Sequence, residues 1–163
     1  VVPVVTLTVG VGLGLLVRGY AGQRLPGQSL TGGQEMDRVT ELLAIGRSKL
    51  ATDATGAQDA YQKVLEIEPG NAEARTYLGW LVVLDSRGSG DAEQLQQGVE
   101  LLRTAVEADP TYADPHCLLA VATGRFMDPP YVATAVPHAK VCLASAPPAD
   151  LAPMVQGIID DLS

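Results

Sequence analysis

The chain has 163 residues, room for one domain of ordinary size, and pairs only 4% aromatics with abundant Ala, Val, Leu and Gly. That balance suits close-packed helices better than a β-sandwich or barrel. The net charge is -8 with no cluster of Lys and Arg, which argues against a nucleic-acid reader and for a soluble surface or a basic partner.

The first predicted element is "VVPVVTLTVGVGLGLLV", 17 uncharged, mostly apolar residues at the short limit for spanning a bilayer. Arg18, Tyr20 and Arg24 follow as interfacial anchors. A secretory signal would start with basic residues and end in a small-x-small site. A buried core helix is the other alternative. We adopt a transmembrane anchor over 1–20. Its glycines suit helix packing better than phosphate binding. Residues upstream of Val1 would lengthen this segment, and basic ones would reverse the orientation that Arg18 and Arg24 favour. Residues 21–36, rich in Gly and Gln, read as a flexible tether.

From Asp37 the pattern becomes helical. Val39, Leu42, Leu43 and Leu50 recur at helical spacing. After a loop at "TDATG", a second helix runs through Ala57, Tyr61, Val64 and Ile67 to Pro69. The next pair carries Ala74, Leu78, Leu81 and Val82, breaks at "DSRGSGD", and resumes through Leu95, Val99, Leu102 and Val106 to Pro110. A third pair starts near Asp114, breaks at "DPP", and runs through Ala135, Ala139 and Leu143 to Pro147. The tail, 150–163, reads as one more amphipathic helix, with Leu151, Met154, Val155, Ile158 and Ile159 expected to cover the end of the stack.

The three stops repeat: Pro69, Pro110 and Pro147 each close a second helix, and 110 minus 69 is 41 while 147 minus 110 is 37. A period near this range signals a helical solenoid, whose hairpins bury their faces on one another. Gly79 inside a helix costs about 1 kcal/mol relative to Ala, so close approach of a neighbouring helix is the expected compensation.

These residues resemble the tetratricopeptide repeat family. Leu78–Gly79 and Leu119–Ala120 match its first-helix pair. Ala57, Tyr61 and Val64, then Gly98, Leu102 and Ala105, then Ala135, Ala139 and Cys142 match its second helices, and the closing prolines match in all three repeats. The resemblance covers roughly residues 37–147, within an expected three-hairpin region over 37–149. It departs from the family in hairpin loops longer than a 34-residue period allows, and in Gly46, where the first Leu-Gly pair would end. The fold it implies is all-α: an N-terminal transmembrane helix, a tether, three TPR-like helical hairpins and a C-terminal capping helix.

No nucleophile elbow, zinc-protease motif or phosphate loop occurs in the sequence, so no catalytic residue and no cofactor is assigned. His116, Cys117, His138 and Cys142 cluster in the third repeat. His138 and Cys142, four apart, have metal-ligand spacing. A Cys117–Cys142 disulfide and free buried thiols are the alternatives, both more ordinary than a metal.

The resemblance further implies that the first helices line a groove for a protein or peptide partner. Its pattern, carried over, puts Thr40, Leu43, Arg47 and Leu50 there from the first repeat. The second gives Glu73, Thr76, Trp80 and Val83, and the third Asp114, Cys117, Val121 and Arg125. Trp80, the single tryptophan, is expected to anchor the partner. Arg47 and Arg125 are expected to hold its carboxylates. The bland alternatives are packing for Trp80 and solvated charge for each arginine. Anchor, tether and repeats together are similar to the TPR accessory proteins of bacterial c-type cytochrome biogenesis. That similarity implies a bacterial inner-membrane protein with its array outside the cytoplasm, holding an apocytochrome. A structural subunit docked through its outer face is the other expectation.

Overall fold

A computed structural model describes residues 31–163, with side chains from Gly33 onward. The expected anchor and most of the tether lie outside the described residues. No helix among the described residues is long and apolar enough to cross a membrane.

The described residues form helices joined by short turns, without a strand. They are α1 (Thr31–Lys49), α2 (Ala54–Ile67), α3 (Ala72–Ser89), α4 (Ala92–Ala108), α5 (Ala113–Val121), a π-helical turn (Ala122–Phe126), α6 (Val132–Ala144) and α7 (Ala152–Leu162). Helix α1 begins six residues before Asp37. Gln34, Glu35 and Met36 are good helix formers and carry it back into the expected tether.

Local chemistry sets most boundaries. Asp53 opens α2 by accepting from the Gly56 amide at 2.9 Å, and Asn71 opens α3 by accepting from Ala74 at 2.9 Å. Asp91 opens α4 by accepting from Glu93 and Gln94 at 2.9 and 3.1 Å. Helices α2 and α4 stop two residues ahead of Pro69 and Pro110, which cannot continue a helix. The expected break at Asp85–Asp91 is shorter than the sequence implies. Helix α3 runs on to Ser89 and ends at Gly90, whose φ of 73° is the left-handed closing position that glycine adopts freely. The long repeat period is therefore taken up in long helices: α3 has 18 residues and α4 has 17.

Helices α3 and α4 are antiparallel and touch backbone to backbone. A Cβ on Gly79 would lie 3.0 Å from the Gly98 carbonyl oxygen, and one on Gly98 would lie 2.9 Å from that of Gly79. The compensation expected for Gly79 is thus present, and Gly98 supplies the other half of it. In the first hairpin, Gly46 does the same for a ring: a Cβ there would be 2.6 Å from the Tyr61 side chain. In the third, Cys117 and Cys142 are disulfide-bonded between α5 and α6, with Cα atoms 4.8 Å apart.

The core forms three layers. Val39, Leu42, Tyr61, Val64 and Leu81 join α1, α2 and α3. Val83, Leu102, Leu119 and Ala122 join α3, α4 and the start of the third hairpin. Ala120, Ala135, Ala139, Val155 and Ile158 join α5, α6 and α7. Each layer joins helices that lie close to one another along the chain. All nine second-helix positions matched above are buried. The tail helix covers the third hairpin with Val155 and Ile158, both fully buried, while Met154 stays 48% exposed rather than covering it.

Tyr61 is fully buried, and among the described residues its hydroxyl has no hydrogen-bond partner. Burial pushes its pKa up to about 12. An unpaired buried hydroxyl costs about 1–3 kcal/mol of desolvation. Tyr61→Phe keeps the ring over Gly46 and removes that cost. We expect equal or higher stability in urea denaturation, by about 1 kcal/mol. A loss of stability would mean that the hydroxyl is paired.

Candidate functional site

The first helices of successive hairpins are tied together side chain to side chain. Arg47 on α1 grips Glu73 on α3 with two hydrogen bonds, Nε to Oε1 at 2.5 Å and Nη2 to Oε2 at 3.1 Å. This fork-to-fork geometry is the strong form of an Arg–carboxylate pair. It holds the Arg47 guanidinium even more firmly protonated, chiefly through the hydrogen bond to Glu73. Arg47 is exposed, so the pair's contribution to stability is small.

One turn further along α3, Tyr77 donates its hydroxyl to Asp114 Oδ2 on α5 at 2.6 Å. Tyr112 donates to the same oxygen at 2.8 Å. Burial raises both phenols well above their ordinary range, and the Asp114 hydrogen bond adds to it, so both stay neutral donors at physiological pH. Tyr77 also stacks on Tyr61, with centroids 5.6 Å apart. The Arg47–Glu73 and Tyr77–Asp114 contacts make a continuous row across α1, α3 and α5. Beside Asp114 opens a pocket of about 180 Å³, walled by Tyr77, Leu118, Pro148 and Leu151.

Several residues expected to line a groove fall on this row or beside it. Leu43 is half-buried against the first core layer. Arg47, Glu73 and Asp114 form the polar contacts just described, and Thr40 is exposed. Others do not reach a surface. Thr76 and Val83 are 0% exposed and Val121 is 2% exposed. Thr76 Oγ1 donates back to the Ala72 carbonyl at 2.7 Å, and the two valines fill the second and third core layers. Helix α3 is enclosed by α2, α4 and α5, so positions that would face a partner on a less covered helix are interior here. Cys117 is likewise buried, and its sulfur is spent in the disulfide. Cys142 is bonded to it and is therefore not a metal-binding thiolate.

Trp80 is half-buried and stacks on Phe126, with centroids 5.9 Å apart and planes at 24°. The Arg87 guanidinium lies 4.1 Å over the other component of this stack, Phe126. Trp80 thus packs the second hairpin on the third, the ordinary alternative to an anchor. Arg125 borders a cleft of about 440 Å³ with Ser86, Arg87 and Phe126, but its Nη1 is held by Asp161 on α7 at 2.7 Å. Both arginines expected to receive a partner's carboxylate already hold one from this chain.

Tyr77 and Tyr112 were not among the groove residues. Tyr77 falls four residues after Glu73, the spacing that places two side chains on one helix face, and that was the available signal. No protein-family model matches the chain, and no curated protein matches it in sequence. The fold and the row define an all-α protein of packed helical hairpins with a polar seam across its first helices.

Proposed function

We infer that this chain is a non-enzymatic interaction module, a TPR-like solenoid carried on an N-terminal membrane anchor, and that it binds an extended basic segment of another protein. The observation that carries this reading is the row Arg47–Glu73, Tyr77–Asp114 with the adjoining apolar pocket. It offers a rigid face on which main chain and one apolar side chain can settle. The sign of the partner follows from charge. Arg18 and Arg24 are the only charged residues before residue 31, so residues 31–163 carry 9 basic against 19 acidic residues, net -10. Four of those nine basic residues, Arg47, Lys49, Arg103 and Arg125, are in ion pairs within the chain. A basic partner segment is drawn to such a surface and an acidic one is repelled. The disulfide supports an oxidising, extracytoplasmic setting for the array. The resemblance noted from the sequence implies an apocytochrome as partner.

The test is a pull-down from native membranes in mild detergent, read by mass spectrometry, with wild type beside an Asp114→Asn, Leu118→Arg double variant. The asparagine would still accept from both tyrosines, while the arginine blocks the pocket and reverses the local charge. We expect a basic partner to be depleted at least tenfold by the variant and by added salt. Full retention of every partner would sink the groove reading. It would favour docking through the outer face, where Tyr131, Val132 and Val141 are exposed.

A further inference from the structure

The chain has two histidines, and they meet between α5 and α6. His116 Nδ1 and His138 Nδ1 are 2.8 Å apart, and the ring centroids are 4.9 Å apart. His116 is 7% exposed, and its Nε2 lies 3.2 Å from the Pro110 carbonyl oxygen. A carbonyl only accepts, so His116 Nε2 carries the hydrogen. In the neutral ring its Nδ1 is then the acceptor, and His138 donates its Nδ1–H to it. The partners assign both tautomers.

One proton fits this arrangement. Added at His138 Nε2, it leaves the Nδ1–H donor in place and makes the hydrogen bond charge-assisted. A second proton has to go to His116 Nδ1. Two N–H donors and two positive charges would then face each other across 2.8 Å, and the contact must break.

The surrounding charges do not relieve this. Ahead of and on α5, Asp109 accepts from Thr111 and Asp114 accepts from Tyr77 and Tyr112. On α6, Lys140 is exposed. On α4, Arg103 is held by Glu100 and Glu107. On α7, Asp160 accepts from Gln156 and Asp161 from Arg125, while Asp150 just ahead of it is exposed. Burial first, and then repulsion from His116 when both rings are charged, holds the His138 imidazole below its ordinary value.

We propose that the His116–His138 pair is a one-proton site that latches α5 to α6 beside the Cys117–Cys142 bond, and that a second proton opens it. Opening frees the start of α5, the turn that carries Asp114 to Tyr77, so acid loosens the seam between the second and third hairpins. The sign follows from proton counts. The unfolded chain has two imidazoles titrating near about pH 6.5. While its 2.8 Å contact is closed, the folded pair holds one proton at most. Below that pH the unfolded state binds more protons, so the contribution to stability is complete above about pH 7 and is lost as pH falls.

The test uses the full chain in a nonionic detergent, labelled with ¹⁵N-histidine, which yields signals from two rings only. At pH 8 we expect the Nε2–H form of His116 and the Nδ1–H form of His138. On acidification we expect two macroscopic steps at least about one pH unit apart. In urea, the wild-type unfolding constant should rise about tenfold per pH unit below about pH 6, relative to His138→Asn. The asparagine amide still donates to His116, turns its oxygen to a charged ring, and takes up no proton itself. Carboxylates titrate alike in both proteins and cancel. Identical pH dependence of the two proteins overturns the proposal. If the variant does not fold, the labelled wild type decides: two rings titrating together at the ordinary value overturn it as well.

Discussion

Gly98→Ala should destabilise the chain by about 2–4 kcal/mol in urea denaturation, although glycine to alanine inside a helix ordinarily gains about 1 kcal/mol. The reversal comes from the neighbour. A Cβ on Gly98 would meet Val83 Cγ2 at 2.6 Å, the Gly79 carbonyl oxygen at 2.9 Å and the Val83 amide nitrogen at 2.9 Å. The valine methyl can turn aside, but the two backbone atoms belong to α3 and move only if the helices separate. Separation would open the layer that Val83 and Leu102 fill. Gly79→Ala should behave alike, since its Cβ would meet Leu101 Cβ at 2.9 Å and the Leu102 amide nitrogen at 3.1 Å. Gly88→Ala is the control. It lies on the same helix with nothing within 4 Å of the added atom, so it should gain up to about 1 kcal/mol. A Gly98→Ala protein as stable as wild type would mean that α3 and α4 do not touch at this point.

Reducing the Cys117–Cys142 bond should cost about 3 kcal/mol, and Cys117→Ala, Cys142→Ala together about the same. The bond closes a loop with a sequence separation of 25, and opening it returns that loop's freedom to the unfolded chain. Both cysteines lie in the layer shared by α5, α6 and α7, so the loss should extend to the capping helix. For a folded part of this size the melting temperature should fall by about 10 °C, read by circular dichroism with and without reductant. Untreated protein should take up no alkylating reagent until it is reduced. Ready alkylation with an unchanged melting point would show that the two thiols are separate.

Much of the helical plan is legible in the residues. Pro69, Pro110 and Pro147 mark the ends of second helices because proline lacks the amide a helix needs. The caps Asp53, Asn71 and Asp91 mark starts because their side chains satisfy open amides. Small residues at Gly79, Gly98, Ala120 and Ala135 mark close packing, and all four are buried. The candidate site was legible only in part. Periodicity identifies a helix face, but how many faces a helix must cover depends on how many neighbours it has. Thr76, Val83 and Val121 show this, since each sits on a helix enclosed from more than one side.

The sequence by itself determined most of the helices and their order, because those depend on propensities and caps close along the chain. The tertiary structure decided the partners of the charged and chemically active residues. Arg47 meets Glu73 across 26 positions, Arg125 meets Asp161 across 36, and His116 meets His138 across 22. Cys117 joins Cys142 at a separation of 25. Such pairings require hairpins already packed in register, because a side chain finds a distant partner only when the helices beneath both have been fixed in place by their cores.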